Sequence, residues 1–434
     1  MASMKALVQL MKELEDQLTV CMRCGMCQAV CPLFAETGRE ADVARGKLAL
    51  LEGLMQDMFE NPKGVYERLN RCLLCGSCEA NCPSGVNVLG IFMKARAILT
   101  GYMGLPLAKR TILRGMLAHP QIFDRVTGWA SKYQSLFTKP VDELLGTSCA
   151  RFVSPLIADR HVKSLAPVPF HRVRPSLNTS PGSSGIKVAF FVGCLIDKIF
   201  PRTGEAVIEV LQNHGVGVFM PERQACCGIP AISSGDTKTF NHLVHHNLER
   251  FDTHDFDYLV TACATCTATI KKVWPMMVRD HPEGVKEKIT KIAENTLDIS
   301  QFLVLNIGLE KVSFATDDNK IAVSYHDPCH LKKSLGISAE PRVLIQANPR
   351  YRFKEMPESD SCCGMGGTFN LQNYEISASI GRRKRDHIVA SECSVVATGC
   401  PACMIQISDM LSQSGDRIKI RHPIEIYEEL IIKP

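Results

Sequence analysis

From Met1 to roughly Gly104, apolar residues recur at helical spacing, most clearly between Asp42 and Met58, and no strand-like alternation interrupts them. Met1 to Leu18 sets Lys5, Lys12, Glu13, Glu15 and Asp16 among apolar positions, which reads as an amphipathic helix rather than a secretory signal. The helical spacing continues from Leu105 to Phe137, where Pro106 and Pro120 break it into two or three short connecting helices. Between Ser154 and Gly185 lie five prolines and a Thr179-Ser180-Pro181-Gly182-Ser183-Ser184-Gly185 run, the composition of a linker. Beyond it, short β-branched and aromatic runs alternate with helical stretches, as in βα units that build a parallel sheet. Strands are predicted at Lys187 to Val192, Val216 to Met220 and Tyr258 to Ala262, with helices at Gly204 to His214, Phe240 to Phe251 and Cys266 to Val278. The order then repeats: strands at Ile321 to Tyr325, Phe353 to Met356 and Ser394 to Thr398, helices at Val343 to Ala347, Ser377 to Val389 and Ala402 to Ser412. The repeat is too long for a solenoid and suits a pair of duplicated α/β domains. The pattern predicts an α+β multidomain chain divided at 1–104 (helical), 105–185 (connecting helices and linker), 186–310 and 311–434 (the α/β pair).

A length of 434 residues, 45% of them hydrophobic, exceeds what one core usually serves. The net charge of +5 is small and scattered, apart from the Arg382, Arg383, Lys384, Arg385 cluster, which reads as a solvated helix face. Nothing points to nucleic acid. No apolar run approaches the ~18 residues of a membrane span. Cysteine-rich and without a signal, the chain is expected in the cytoplasm, touching the inner face of a membrane only peripherally or through a partner.

Cysteine changes the picture, because eighteen of the twenty fall into four sets. Cys21, Cys24, Cys27 and Cys31 read C-x2-C-x2-C-x3-C-P, and Cys72, Cys75, Cys78 and Cys82 repeat it. A short loop with a cysteine every third residue wraps three soft thiolates around one face of a cubane, as in a ferredoxin-type module. In two-cluster ferredoxins the cysteine before proline crosses to the other cluster. By that rule Cys21, Cys24, Cys27 and Cys82 hold one [4Fe-4S] cluster, and Cys72, Cys75, Cys78 and Cys31 the second. Zinc also takes four thiolates, but commonly as separated C-x2-C pairs.

Two further sets each hold five cysteines: Cys194, Cys226, Cys227, Cys263 and Cys266, then Cys329, Cys362, Cys363, Cys400 and Cys403. In the first of them each ligand group follows the end of a predicted strand, where open parallel sheets collect ligands. Five thiolates exceed the needs of one cubane. Spacing alone leaves open a spare ligand, a differently shaped cluster, or zinc on four of the five.

With Gly228 and Gly364 behind the paired cysteines, these sets resemble the cysteine-rich "CCG" domain. The order of two ferredoxin motifs, linker and two CCG domains resembles the iron-sulfur subunits of glycolate oxidase and D-lactate dehydrogenase over nearly the whole chain. Related chains are heterodisulfide reductase and the CCG-bearing subunit of anaerobic glycerol-3-phosphate dehydrogenase. Gly193-Cys194-Leu195-Ile196-Asp197 with Pro201, Cys226-Cys227-Gly228-Ile229-Pro230-Ala231 and His326-Asp327-Pro328-Cys329-His330 add local similarity. The resemblance implies one further, non-cubane [4Fe-4S] cluster in each CCG domain, with zinc in one of them as the alternative. It implies an electron-transfer subunit that takes electrons from a separate FAD-containing subunit oxidising D-lactate or glycolate. The acceptor would be a quinone, a cytochrome or another carrier. The alternative is a heterodisulfide reductase-like subunit that itself cleaves a disulfide.

The remaining candidates read plainly. Cys149 and Cys393 fit no set and are expected as buried or free thiols. His242, His245 and His246 are placed on a helix surface. His326 and His330 flank Cys329 and are read as structural, within reach of a cluster sulfur. The glycines of Cys363-Gly364-Met365-Gly366-Gly367 lack the spacing and the Lys-Ser/Thr of a phosphate loop and read as a tight turn.

Overall fold

The computed structural model describes residues 4–151, 159–278, 282–310 and 320–432, and the chain forms two compact units that alternate along the sequence. The first comprises 1–115, 228–242 and 364–380; the second comprises 116–227, 243–363 and 381–434.

The first unit is helical. Ala44–Met55 buries Leu48, Leu51 and Leu54, and Val88–Met103 buries Ile91, Ala95 and Leu99, the rows three and four apart that the pattern predicts. Met4–Met11 adds Leu7 and Met11. Each such leucine contributes ~2 kcal/mol by leaving water. Asn87 starts the Val88–Met103 helix by accepting the Gly90 amide at 3.0 Å. Two later segments of the chain join this core. The Arg96 guanidinium, buried on the same helix, donates to the carbonyls of Leu69 (2.5 Å), Cys72 (2.8 Å) and Ser233 (2.7 Å). Thr100 donates to Ser234 O at 3.1 Å, and Arg114 forks onto Asp236 at 3.0 Å for both bonds. From the other segment, Ser379 donates to Glu36 at 2.6 Å.

The second unit holds three sheets. A small antiparallel sheet joins β1 (Thr138–Asp142), β2 (Thr147–Ala150) and β3 (Val162–Lys163). A five-stranded sheet takes β4 (Leu177–Asn178), β5 (Lys187–Phe191), β6 (Gly217–Met220), β7 (Tyr258–Thr261) and β8 (Thr296–Asp298) in the order β4-β6-β5-β7-β8. Only β4 runs antiparallel. A four-stranded parallel sheet takes β9 (Ile321–Tyr325), β10 (Tyr351–Phe353), β11 (Val395–Ala397) and β12 (Lys419–Arg421) in the order β10-β9-β11-β12. Val188, Ala189, Phe190 and Phe191 are all 0% exposed, as expected of a strand covered on both faces. The fold is thus α+β and multidomain, a helical part followed by α/β parts with parallel sheets.

Three expectations need correction. The second strand of the repeat lies at Tyr351–Phe353, two residues upstream, because Tyr351 pairs with Ile321 and Met356 is buried outside the ladder. The helix expected over Cys266 to Val278 is three pieces, Ala264–Ala268, Thr269–Val273 and Trp274–Met277, the middle one wound as a π-helix. The basic cluster is no uniformly solvated face: Lys384 is 1% exposed, and its ammonium donates to the carbonyls of Glu358 (2.6 Å) and Ser359 (3.2 Å).

Candidate metal centres

The two C-x2-C-x2-C loops share one backbone course. The residue after the first x position, Arg23 or Leu74, has φ +57° or +55°, and the following glycine, Gly25 or Gly76, has φ +87° or +75°. Left-handed residues at non-glycine positions are uncommon, and here they turn successive sulfurs inward. Cys31 precedes the helix Pro32–Thr37, with Pro32 at its first position, and its Sγ accepts the Phe34 amide at 3.5 Å. Pro32 behind Cys31 therefore starts a helix, whereas Pro83 behind Cys82 lies in a turn.

One cavity in this unit is lined by Cys72, Cys75 and Cys78 together with Cys31. Another is lined by Cys21, Cys24 and Cys27 together with Cys82, with Cys78 at its edge. Lys47, 1% exposed, borders the first cavity and donates to the Asp42 carbonyl. Burial pushes its ammonium below the ordinary lysine range, against the pull of Cys72 and Cys31. Burial also raises the Cys31 thiol to about 11. Thiols held neutral in this way ionise when a thiophilic metal takes the proton's place.

In the second unit, Cys194 opens the helix Cys194–Lys198 after β5, and Cys226 and Cys227 follow β6. The Sγ atoms of Cys194 and Cys226 lie 3.9 Å apart. A Cβ on Gly193 would meet Cys266 Sγ at 3.1 Å, so the glycine admits that sulfur. The paired-cysteine loop is braced by Asn247, which accepts from Ala225 N (2.9 Å) and donates to Cys226 O (3.2 Å). Trp274 Nε1 donates to Cys227 O at 2.9 Å.

The second five-cysteine set repeats this plan. Cys329 opens the helix Cys329–Leu335, and the sulfurs of Cys363 and Cys403 stand 3.1 Å apart. Cys400 and Cys263 occupy the same cap position with φ −135° and −144°. The two sets abut, since Ala264 N donates to Gly399 O at 2.9 Å and Thr265 Oγ1 lies 3.5 Å from Cys400 Sγ. Asp327, buried, takes a two-pronged bond from Arg342, both at 2.8 Å, and one from Ser359 at 3.0 Å. Burial works to raise the Asp327 carboxyl, yet the Arg342 bonds and charge carry it below the ordinary range. His326 presents a ring nitrogen within 4.8 Å of both Cys363 and Cys403, and neither ring nitrogen has a hydrogen-bond partner. A buried imidazole without a partner, facing converging soft sulfurs, fits a metal centre better than an apolar core.

Sequence reasoning gave His326 a structural role within reach of a cluster sulfur, read Lys384 as part of a solvated face, and assigned no role to Lys47, Asn247 and Trp274. A lysine at helical spacing carries no sign that it will be buried. Cys393 is buried and Cys149 partly so. His246 bonds the Arg223 carbonyl at 2.7 Å.

A 4Fe-4S dicluster domain matches residues 17–86, and a cysteine-rich domain matches twice, at 188–271 and 323–408. The chain is therefore an iron-sulfur protein that joins a dicluster module to a duplicated cysteine-rich domain. It belongs to the family of glycolate oxidase iron-sulfur subunits: over 419 residues it is 30% identical to the probable glycolate oxidase iron-sulfur subunit of Bacillus subtilis, covering 94% of this chain and 92% of that one. It is also 28% identical over 422 residues to a fumarate reductase (CoM/CoB) subunit of Methanothermobacter marburgensis, 95% of this chain and 72% of the other. Lactate utilization protein A of Bacillus cytotoxicus shares 30% over 241 residues, 56% of this chain and 98% of its own. Among the described residues no single helix is long and apolar enough to cross a membrane.

Proposed function

We propose that this chain is the electron-transfer subunit of a flavin-dependent 2-hydroxy-acid dehydrogenase acting on D-lactate or glycolate. It takes electrons from a separate FAD-containing subunit and passes them to a quinone, a cytochrome or another carrier. The observation that carries the reading is near full-length likeness to a glycolate oxidase iron-sulfur subunit, joined to cysteine loops that share their cavities crosswise. In this reading Cys21, Cys24, Cys27 and Cys82 hold one [4Fe-4S] cluster, and Cys72, Cys75, Cys78 and Cys31 another. Each five-cysteine set holds a further, non-cubane one. Bound clusters supply one-electron centres. The chain's residues position them and set the local charge, with Lys47 and Lys384 offsetting buried thiolates and Asn247 and Trp274 fixing the loop that bears Cys226 and Cys227.

The test is anaerobic isolation from the native host with any bound partner, followed by addition of D-lactate or glycolate. Loss of the broad visible absorption, with FAD in a co-purifying subunit and about sixteen iron per chain, is the expected result. About eight iron with zinc present would remove the non-cubane assignment. A second reading, cleavage of a disulfide at the cysteine-rich sites, draws on the abutting sets at Cys263 and Cys400. Turnover of a small disulfide by the isolated chain with a reduced dye would put that reading first.

A further inference from the structure

The two five-cysteine sets stand on the same strand ends, so their surroundings can be compared position by position. Phe191 lies three residues before Cys194 and pairs across the sheet with Thr261, two residues before Cys263. His326 lies three residues before Cys329 and follows Tyr325, which pairs with Ala397. The next rung faces Thr398, two residues before Cys400, and the His326 amide continues the ladder by donating to Ala397 O at 2.9 Å. Phe191 and His326 therefore occupy one position in the duplicated plan.

The two side chains differ in what they offer the sulfurs. Both are buried, at 0% and 1% exposure. The Phe191 ring lies against Phe251, with centroids 5.9 Å apart. Its Cε1 is 4.0 Å from where a Cβ on Gly193 would stand, a point 3.1 Å from Cys266 Sγ. In the first copy this position thus turns an apolar ring edge toward the Cys266 side of the site. In the second copy a ring nitrogen of His326 and the sulfurs of Cys363 and Cys403 all lie within 4.8 Å of one another. Cys403 is the counterpart of Cys266, the last cysteine of its set. One position therefore looks toward the same cysteine in both copies, with carbon in the first and nitrogen in the second.

Neither nitrogen of the His326 ring has a hydrogen-bond partner. An imidazole buried in that way loses its hydration without compensation, unless a metal takes its lone pair. The backbone, not the ring, fixes its place. The following residue, Asp327, donates its amide to Ser359 O at 3.0 Å, and its carboxylate takes the Arg342 fork. The strand end is thereby clamped on both sides of the peptide while the ring stays free to ligate. Imidazole nitrogen and thiolate sulfur are ligands that iron accepts together.

We propose that His326 is a ligand of the iron-sulfur centre held by the second five-cysteine set, through a ring nitrogen beside Cys363 and Cys403. The duplicated sites are then unequal, with protein sulfur alone in the first and sulfur with nitrogen in the second. The inference rests on the reading above that each set holds such a centre, and deepens it. A neutral imidazole in place of an anionic thiolate leaves a centre less negative and raises its potential. The second centre is thus the stronger electron acceptor of the pair. An electron that reaches the first set passes on to the second, across the abutment at Ala264 and Gly399.

The test uses the full chain, labelled with 15N-histidine and isolated anaerobically with its metal, and needs neither flavin partner nor hydroxy acid. Stepwise reduction with dithionite is followed by absorption and by pulsed electron paramagnetic resonance. The wild type should show a 15N coupling of the strength of a directly bound imidazole. It should be lost in His326→Phe, which gives the second copy the residue of the first. It should persist in His330→Gln, which alters the neighbouring histidine whose Nδ1 lies 3.2 Å from Thr265 Oγ1. His326→Phe should also move one midpoint potential downwards, with the others in place and the iron content unchanged. Where that variant does not fold, His326→Asn removes the labelled nitrogen in its stead. No strong histidine coupling in the wild type, its survival in the His326 variants, or midpoints that all stay in place overturns the ligand. An iron content of about eight per chain would instead show that the five-cysteine sets hold no iron, and would remove the reading beneath the proposal before any coupling is measured.

Discussion

The glycine after each cysteine pair shows how one residue holds a site open. Gly228 and Gly364 have φ +95° and +92°, so both copies reverse the chain in the same way. A Cβ at Gly228 would lie 2.7 Å from Phe240 Cδ2, a contact that no real side chain makes. Gly228→Ala should cost about 2–4 kcal/mol from backbone strain and overpacking together, read as a lower denaturant midpoint. Gly336→Ala, at φ +74° with nothing within 4 Å of a Cβ, is the control and should cost about 1 kcal/mol. Equal losses at the two positions would dismiss the steric argument. Asp298, paired across the sheet with Thr261, gives the chain a pH dependence that does not come from a thiol. Its Oδ1 accepts the Ser300 amide at 2.9 Å and its Oδ2 has no partner, so burial raises the carboxyl to about 7. The folded pKa lies above the unfolded one, so stability is full below about pH 4 and is lost as pH rises through about 7, by up to roughly 4 kcal/mol. Asp298→Asn keeps the cap and removes the proton. Thermal melts at pH 5 and pH 8 should separate for the wild type and converge for the variant.

Among elements, the expected exchange of fourth cysteines is tested by the loop whose cavity each one borders. Cys31 borders the cavity of the second loop and Cys82 that of the first. Cys82→Ser should therefore remove the cluster of the Cys21 loop and spare that of the Cys72 loop, with Cys31→Ser doing the reverse. Electron paramagnetic resonance of the reduced variants distinguishes this from each loop keeping its own cysteine. Arg96 is the corresponding test of packing. Replacing it by Met leaves the Leu69, Cys72 and Ser233 carbonyls without their buried donor and should cost about 3 kcal/mol, visible as earlier unfolding of the helical unit. The elements themselves were legible in proportion to their burial. Runs such as Lys187–Phe191 and Ile321–Tyr325 announce strands because both sheet faces are covered. Strands β3 and β4 are two residues each, β1 and β2 carry mostly polar residues, and neither pair gives a periodic signal. The cysteine spacing disclosed which sulfurs could meet. It put His326 within reach of a cluster sulfur, but it did not disclose Lys384, whose part depends on burial that no local pattern encodes.

For the molecule as a whole, the order of motifs suggested modules strung along the chain, whereas the compact units cut across that order. Each cysteine pair is followed at once by a glycine that opens a segment, 228–242 or 364–380, belonging to the helical unit. A Cβ on Gly366 would stand 3.2 Å from the Cα of Leu73, the residue after Cys72. The first of these segments also supplies the carbonyls of Ser233 and Ser234 to Arg96 and Thr100, and the carboxylate of Asp236 to Arg114. The helical unit thus obtains part of its core and several partners for buried polar groups from sequence more than a hundred residues away. Residues 1–115 expressed alone should leave Arg96 and Thr100 with unpaired donors and expose apolar surface that the two segments cover. The expected outcome is a fragment with native helix content, loosened tertiary packing and fast amide exchange in Val88–Met103, where the full chain protects it. Exchange as slow in the fragment as in the full chain would mean that 1–115 is an independent module and that the inserted segments merely lie against it. Slow exchange restored by adding synthetic peptides spanning 228–242 and 364–380 would identify those segments as the missing part of the core.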